Sequence, residues 1–216
     1  MQFVKNLAEI RARARQKIND GAVTEDYQGD LEQAIAILNE ALATEIVCVL
    51  RYKFHYFMAT GIHSLAVREE FREHAEEEQG HADEIAERIK QLGGKPEMNP
   101  AILAGRSHSE YKEGNSLADM IREDLIAERI AIESYRDMVR FFGQKDPTSR
   151  RMMEGILAKE EEHADELADL LFAVEPRSGE NTRKLYFSDE VPGSSDAGKK
   201  VKGNDAGKGK GRNGNT

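Results

Sequence analysis

The chain has one cysteine, Cys48, in 216 residues and no tryptophan. A lone thiol excludes an intrachain disulfide, a cysteine-based zinc site and a Cys-x-x-Cys electron-transfer module. It fits a reducing compartment, so a cytoplasmic setting is expected. No run of 18 apolar residues occurs, so no membrane span is expected. Residues 1–17 lack the continuous apolar stretch of a secretory signal. They are Arg-rich and amphipathic, like some organelle transit peptides, but read better as a short docking helix. Proline is scarce, at five residues, so little interrupts long helices.

Charge is abundant instead. Charged residues make up 33% and hydrophobic ones 39%, enough for one domain with a real core and suited to long amphipathic helices. The net charge of −9 is uneven: residues 177–216 carry +4 and the first 176 carry −13. Such an asymmetry bears on partners rather than on fold.

Phe3, Val4, Leu7, Ile10, Ala14 and Ile18 mark a first short helix, ended by Asn19-Asp20-Gly21. Four long helical patterns follow, roughly 31–59, 66–92, 117–143 and 148–174. Asp30 is a plausible N-cap for the first of them, and Asp146-Pro147 opens the last as N-cap and N1. Short connections make hairpins of the first and last pairs, whereas about 24 residues separate the second and third helices. That is enough chain to cross the bundle and start the third helix parallel to the second. The expected fold is all-α: an antiparallel four-helix bundle over 31–174 with one long crossover. Residues 1–30 add an N-terminal helix and connection. Residues 175–192 are read as a docking segment, through Lys184-Leu-Tyr-Phe187. The Gly/Lys-rich stretch 193–216 has too few apolar anchors to order.

Each helix carries an apolar 4-3-4-3 seam, and each seam is interrupted near its middle. The interruptions are Glu45, Glu78 with His81, Glu128, and Glu160 with His163. A three-residue step keeps Glu and His on one helix face. One Glu on so charged a helix is ordinarily solvated, and one Glu-x-x-His arises by chance. Six such residues in register on four helices are another matter, because buried carboxylates without compensation are costly and repel one another. Two divalent cations would cancel four carboxylates, and oxygen with imidazole nitrogen suits iron, manganese or zinc.

The pattern is also duplicated. Glu45-Ile-Val-Cys-Val-Leu-Arg-Tyr52 parallels Glu128-Arg-Ile-Ala-Ile-Glu-Ser-Tyr135, and His81-Ala-Asp-Glu-Ile-Ala parallels His163-Ala-Asp-Glu-Leu-Ala. Each copy of a helical hairpin supplies one Glu and one Glu-x-x-His.

On these residues, 31–174 resembles the ferritin-like superfamily, and most of all bacterioferritin and its Dps-like relatives, whose di-iron proteins use this ordered set. The resemblance implies that Glu45 and His81 hold one iron, Glu128 and His163 the other, and Glu78 and Glu160 bridge them. It makes Tyr52 a hydrogen-bond donor to a ligand carboxylate, with Tyr135 as its counterpart. Where bacterioferritin has a haem-ligating Met this chain has Gln79, so haem is not expected; where rubrerythrin-like peroxidases have an extra Glu it has Ala131. Its 30-residue N-terminal extension and Gly/Lys tail also depart from bacterioferritin.

The implied activity is that of a ferroxidase: Fe(II) is oxidised by oxygen or peroxide and stored in a homo-oligomeric cage, limiting oxidative stress. Two alternatives stand beside it. One is a di-metal peroxidase or oxygenase. The other is Dps-like DNA binding through Lys199, Lys200, Lys202, Lys208, Lys210 and Arg212. Of the other residues, His74 is read as a satisfied core histidine or an access-route residue. His55, His63 and His108 are read as surface or loop, and Cys48 as a small core residue.

Overall fold

The computed structural model describes residues 6–62 and 64–175. Its helices are α1 (Leu7–Arg13), α2 (Leu31–Met58), α3 (Ser64–Gln91), α4 (Pro100–Arg106), α5 (Leu117–Phe142) and α6 (Pro147–Val174). No strand occurs among the described residues. The chain is thus all-α, and the four long helices lie within two or three residues of the ends expected for them. The tail cations, the Lys184–Phe187 segment, Phe3, Val4 and His63 lie outside the described residues.

Helix starts follow from side-chain caps. The Asp30 carboxylate accepts from the Gln33 amide, Ser116 from that of Asp119 and Asp146 from that of Ser149. Each satisfies an amide that the first helical turn leaves without a partner. Gly93, at φ 79°, ends α3, and the Gly94 amide turns back to the Ile89 carbonyl, a conformation that residues with a Cβ rarely adopt.

Cross-helix pairs fix the topology. Tyr52 meets Glu128 while Tyr135 meets Glu45, so α2 and α5 run antiparallel. His74 meets Glu166 while Arg88 meets Ser149, so α3 and α6 do too. With α2–α3 a tight hairpin, α5 must start at the far end from where α3 stops. The connection therefore travels the length of a helix of about 42 Å.

That crossover contains the one helix not anticipated from the sequence, α4, with Asn99 as N-cap and Pro100 in the first turn. The non-helical remainder is laced to α2. Asn39 bonds the Lys95 carbonyl and the Glu97 amide; Thr44 accepts from the His108 amide; Cys48 lies 3.5 Å from the Ser109 hydroxyl; Arg51 donates to the Glu110 carbonyl; His55 reaches that of Glu113. The ladder climbs α2 in step with the crossover.

α2 is apolar and long enough to cross a membrane by length and composition alone. Here most of its apolar residues form core, packed against α3, α4 and α5, while Leu50, Phe57 and Met58 are exposed. The core has two apolar ends. Leu38, Leu42, Ile85, Ile89, Phe142 and Met153 fill one, and Phe71, Val67, Ile121 and Leu167 the other. The first helix is shorter than expected: Lys17 turns to φ 47°, a short 3-10 turn follows at Ile18–Asp20, and no residue of α1 is buried.

Candidate metal centre

Between the two apolar ends lies a polar layer. Glu45, Glu78, Glu128, Glu160 and His163 are each at most 1% exposed, and the His81 side chain is 12% exposed. All six come from the middle turns of α2, α3, α5 and α6, where the 4-3-4-3 seam turns them inward.

Two overlapping clusters result: Glu45, Glu78, His81 and Glu160, and Glu78, Glu128, Glu160 and His163. In each, one donor atom from every residue lies within 4.8 Å of the others. Glu78 and Glu160 belong to both. His81 Nδ1 stands 3.2 Å from Glu160, 3.4 Å from Glu45 and 3.6 Å from Glu78. His163 Nδ1 stands 3.4 Å from Glu78, 3.9 Å from Glu160 and 4.0 Å from Glu128. These are ion-pair distances without hydrogen-bond alignment. Each of the six residues leaves one buried donor or acceptor atom without a hydrogen-bond partner. Buried polar atoms are normally satisfied, so six orphans facing one another need a further species among them.

The outward atoms, by contrast, are held. Tyr52 donates to Glu128 Oε1 and Tyr135 to Glu45 Oε1, each tyrosine serving the carboxylate of the other repeat. His163 Nε2 lies 2.6 Å from Glu77, which fixes that nitrogen as the donor and leaves Nδ1 facing the centre.

The six side chains shift one another's proton affinity, mostly upward. Burial, then the charge of Glu78, lifts Glu45, Glu128 and Glu160 above the usual carboxylate range. Glu78 goes the other way: burial works against its charge, but the Glu45 carboxyl and the two imidazoles outweigh it. Burial also opposes a charged His81, yet Glu45 and Glu78 raise it to about 10. Against the same opposition, Glu78 and Glu128 raise His163 to about 9. Carboxylate oxygen and imidazole nitrogen are the donors expected around iron or manganese, and the charge suits two divalent cations.

One residue lies where the sequence did not place it. His55, expected at the surface or in a loop, is fully buried. Its Nδ1 is 2.7 Å from Asp124, which also accepts from Arg51 Nε at 2.7 Å. The crossover covers this face of α2, and a periodicity argument that treats the connection as open loop cannot see that. His108 is partly exposed and reaches Glu40 at 3.3 Å. Cys48 is buried, as expected of a core residue. His74 is 1% exposed, with Nδ1 3.2 Å from the Tyr52 hydroxyl and its ring stacked on His163 at 4.0 Å.

Comparison with known proteins agrees with this architecture. The Ferritin-like domain family matches residues 35–175. A nutrient stress-induced DNA-binding protein of Synechococcus is 32% identical over 139 residues, covering 62% of this chain and 78% of the relative. A bacterioferritin of Streptomyces coelicolor is 30% identical over 162 residues, covering 74% and 90%. Among solved structures, the dodecameric thioferritin of Bacteroides fragilis, described as bacterioferritin-related, superimposes with a TM-score of 0.66 at 32% identity. It covers 68% of this chain and 89% of that one. The four-helix architecture, the buried carboxylate–histidine layer and these similarities together place the chain in the ferritin-like family, with bacterioferritin and Dps proteins as its relatives.

Proposed function

We propose that this protein is a ferroxidase that oxidises Fe(II) to Fe(III) at the buried layer and takes part in iron storage and detoxification within a cage-like oligomer. The observation that carries the reading is the convergence of six buried, partnerless donor atoms on two shared positions. Glu45 and His81 would hold one iron, Glu128 and His163 the other, and Glu78 and Glu160 would bridge; manganese suits the same donors. Bound there, each Fe(II) supplies one electron, and two together reduce peroxide to water or oxygen to hydrogen peroxide, with two protons consumed.

The side chains set the conditions for that exchange. Tyr52 and Tyr135 hold the outer oxygens of Glu128 and Glu45, so the inner oxygens stay aimed at the centre. Glu77 holds His163 in the tautomer that binds through Nδ1. The apolar ends keep bulk water away from the layer, which strengthens every charge interaction inside it. The dodecameric state of the Bacteroides relative supports assembly into a closed shell.

Stopped-flow absorbance after adding Fe(II) to metal-free protein tests the activity. The expected result is a fast phase saturating near about two irons per chain, abolished in Glu78→Ala. No fast phase, or one indifferent to Glu78→Ala, refutes it. Repeated peroxide turnover without iron deposition would instead identify a di-metal peroxidase.

The Synechococcus relative's name and the cationic tail motivate a second activity, DNA binding through Lys199, Lys200, Lys202, Lys208, Lys210 and Arg212. A gel shift at low salt that weakens at moderate salt and vanishes on deleting 195–216 is the expected result.

A further inference from the structure

The internal repeat sets the two halves of the buried layer side by side, and at one position they differ in charge. With His81 matched to His163, 82 positions on, Glu77 is matched to Lys159 and His74 to Ile156. Glu77 and Lys159 each stand four residues before their histidine, one helical turn away. A carboxylate in one half thus answers to an ammonium in the other.

Contacts show what each does. Glu77, on α3, reaches across to α6, where its Oε2 accepts from His163 Nε2 at 2.6 Å. Two-fold symmetry would have residue 159, on α6, do the same for His81 on α3. Lys159 has only protons to give and no lone pair to accept with. Its ammonium turns instead to Glu77 at 3.0 Å and Glu162 at 2.9 Å. His81 Nε2 has no hydrogen-bond partner among the described residues, and its side chain is 12% exposed against 0% for His163.

His74 adds to the difference. Its ring lies on that of His163, with centroids 4.0 Å apart. It is itself held from both sides, Nδ1 at 3.2 Å from the Tyr52 hydroxyl and Nε2 at 3.0 Å from Glu166. Its repeat counterpart Ile156 is an aliphatic core residue, which can neither stack nor hydrogen-bond. In other respects the halves match. Each has its own Glu and His, each shares Glu78 and Glu160, and each outer carboxylate oxygen has its tyrosine.

We propose that Glu77 and Lys159 make the two metal positions unequal, so that the Glu128–His163 position fills first and the Glu45–His81 position fills second and empties first. Glu77 is a positioning residue that acts through His163. It holds the ring with Nδ1 facing the centre and, by drawing on the far N–H, makes that nitrogen the stronger donor. Lys159 denies the same support to His81 and pins Glu77 in place. Losing the outer partner of a metal-bound imidazole costs about 10–100-fold in affinity, and a gap of that size is expected between the two positions. The inference rests on the ferroxidase reading above for where the ions sit.

The test is metal-stripped, full-length protein titrated with Mn(II), with free Mn(II) counted by electron paramagnetic resonance. Anomalous scattering from crystals loaded with one equivalent per chain locates the bound ions. Two binding steps about 10–100-fold apart are expected, with the density at one equivalent concentrated between Glu128 and His163. In Glu77→Gln, which keeps the shape and drops the charge, the steps should draw together by about tenfold and the density even out. Equal density in the wild type, or density first between Glu45 and His81, would overturn the inference and leave the ferroxidase reading standing. A wild-type order that Glu77→Gln leaves unchanged would overturn it too, since the order would then owe nothing to Glu77. Ions bound elsewhere, with neither position filled, would refute the metal centre and the ordering with it. The wild-type map decides the order even if the variant folds poorly.

Discussion

Tyr52 and Tyr135 show how one hydroxyl can govern a buried carboxylate. Each carries a proton that its neighbour across the bundle needs, and each is fully enclosed. Replacing either by Phe leaves the volume but orphans a second carboxylate oxygen. Metal affinity is expected to fall about 10–100-fold, read by competition with a chelating dye. The histidines give a pH signature. Both have folded-state values raised from 6.5, to about 10 for His81 and about 9 for His163. A group raised in this way stabilises the fold below its unfolded value and ceases to do so as pH rises through the folded one. Thermal melts of the metal-free protein should therefore fall between pH 6.5 and about 10, while Mn(II)-loaded protein, whose imidazoles are already deprotonated, stays nearly level. A metal-free melt that rises over this range would contradict the assignment. The six inward residues were legible in the sequence because they break an otherwise regular seam at one depth. The exchange of tyrosines between repeats was not, since spacing along one helix does not say which neighbour a hydroxyl meets.

Helix ends and the crossover raise a different question: what holds long rods in register. Asp146 caps α6 through the Ser149 amide and also binds the Ser149 hydroxyl, Arg88 and Tyr27, so it ties three segments together. Burial works against its charge, but the two Ser149 bonds and the Arg88 guanidinium hold its carboxyl below the usual range. Its contribution is present above the ordinary value of 3.8 and is lost as pH falls through the folded value. Asp146→Asn should cost roughly 1–2 kcal/mol in urea denaturation at pH 7, a deficit that narrows in acid. Asp124 is the stronger case. It is fully buried between Arg51 and His55, and removing one partner of a buried ion pair costs about 3–5 kcal/mol. Asp124→Ala should therefore destabilise by that order and speed hydrogen exchange at residues 110–113, whose anchors Arg51 and His55 lose their shared partner. The hairpins were readable from their glycines, caps and short turns. The anchor was not, because Arg51, His55 and Asp124 are polar residues beside the apolar seam, and they are buried only because the crossover covers them. The short helix α4 escaped for a related reason: seven residues carry too little periodicity to register.

Taken together, the bundle is two apolar blocks separated by a layer whose charge must be cancelled from within. Stripping metal should leave a folded but weaker protein. By mass action, Mn(II) at about a hundred times its dissociation constant adds about 2.7 kcal/mol, or roughly 5–10 °C for a domain of this size, measurable by differential scanning calorimetry. The first helix shows a limit of pattern reading, since its apolar residues Leu7 and Ile10, and Ile18 beyond it, are exposed. The duplicated hairpin has one more consequence. Residues 31–92 contain a complete half-recipe: one single Glu, one Glu-x-x-His and one tyrosine that serves the opposite half. Two detached copies, related by a dyad, would supply the same complement of six inward ligands. The long crossover is therefore a tether that makes permanent what a pair of shorter chains could assemble unaided. Within one chain the two halves can differ, as His74 and its repeat counterpart Ile156 do.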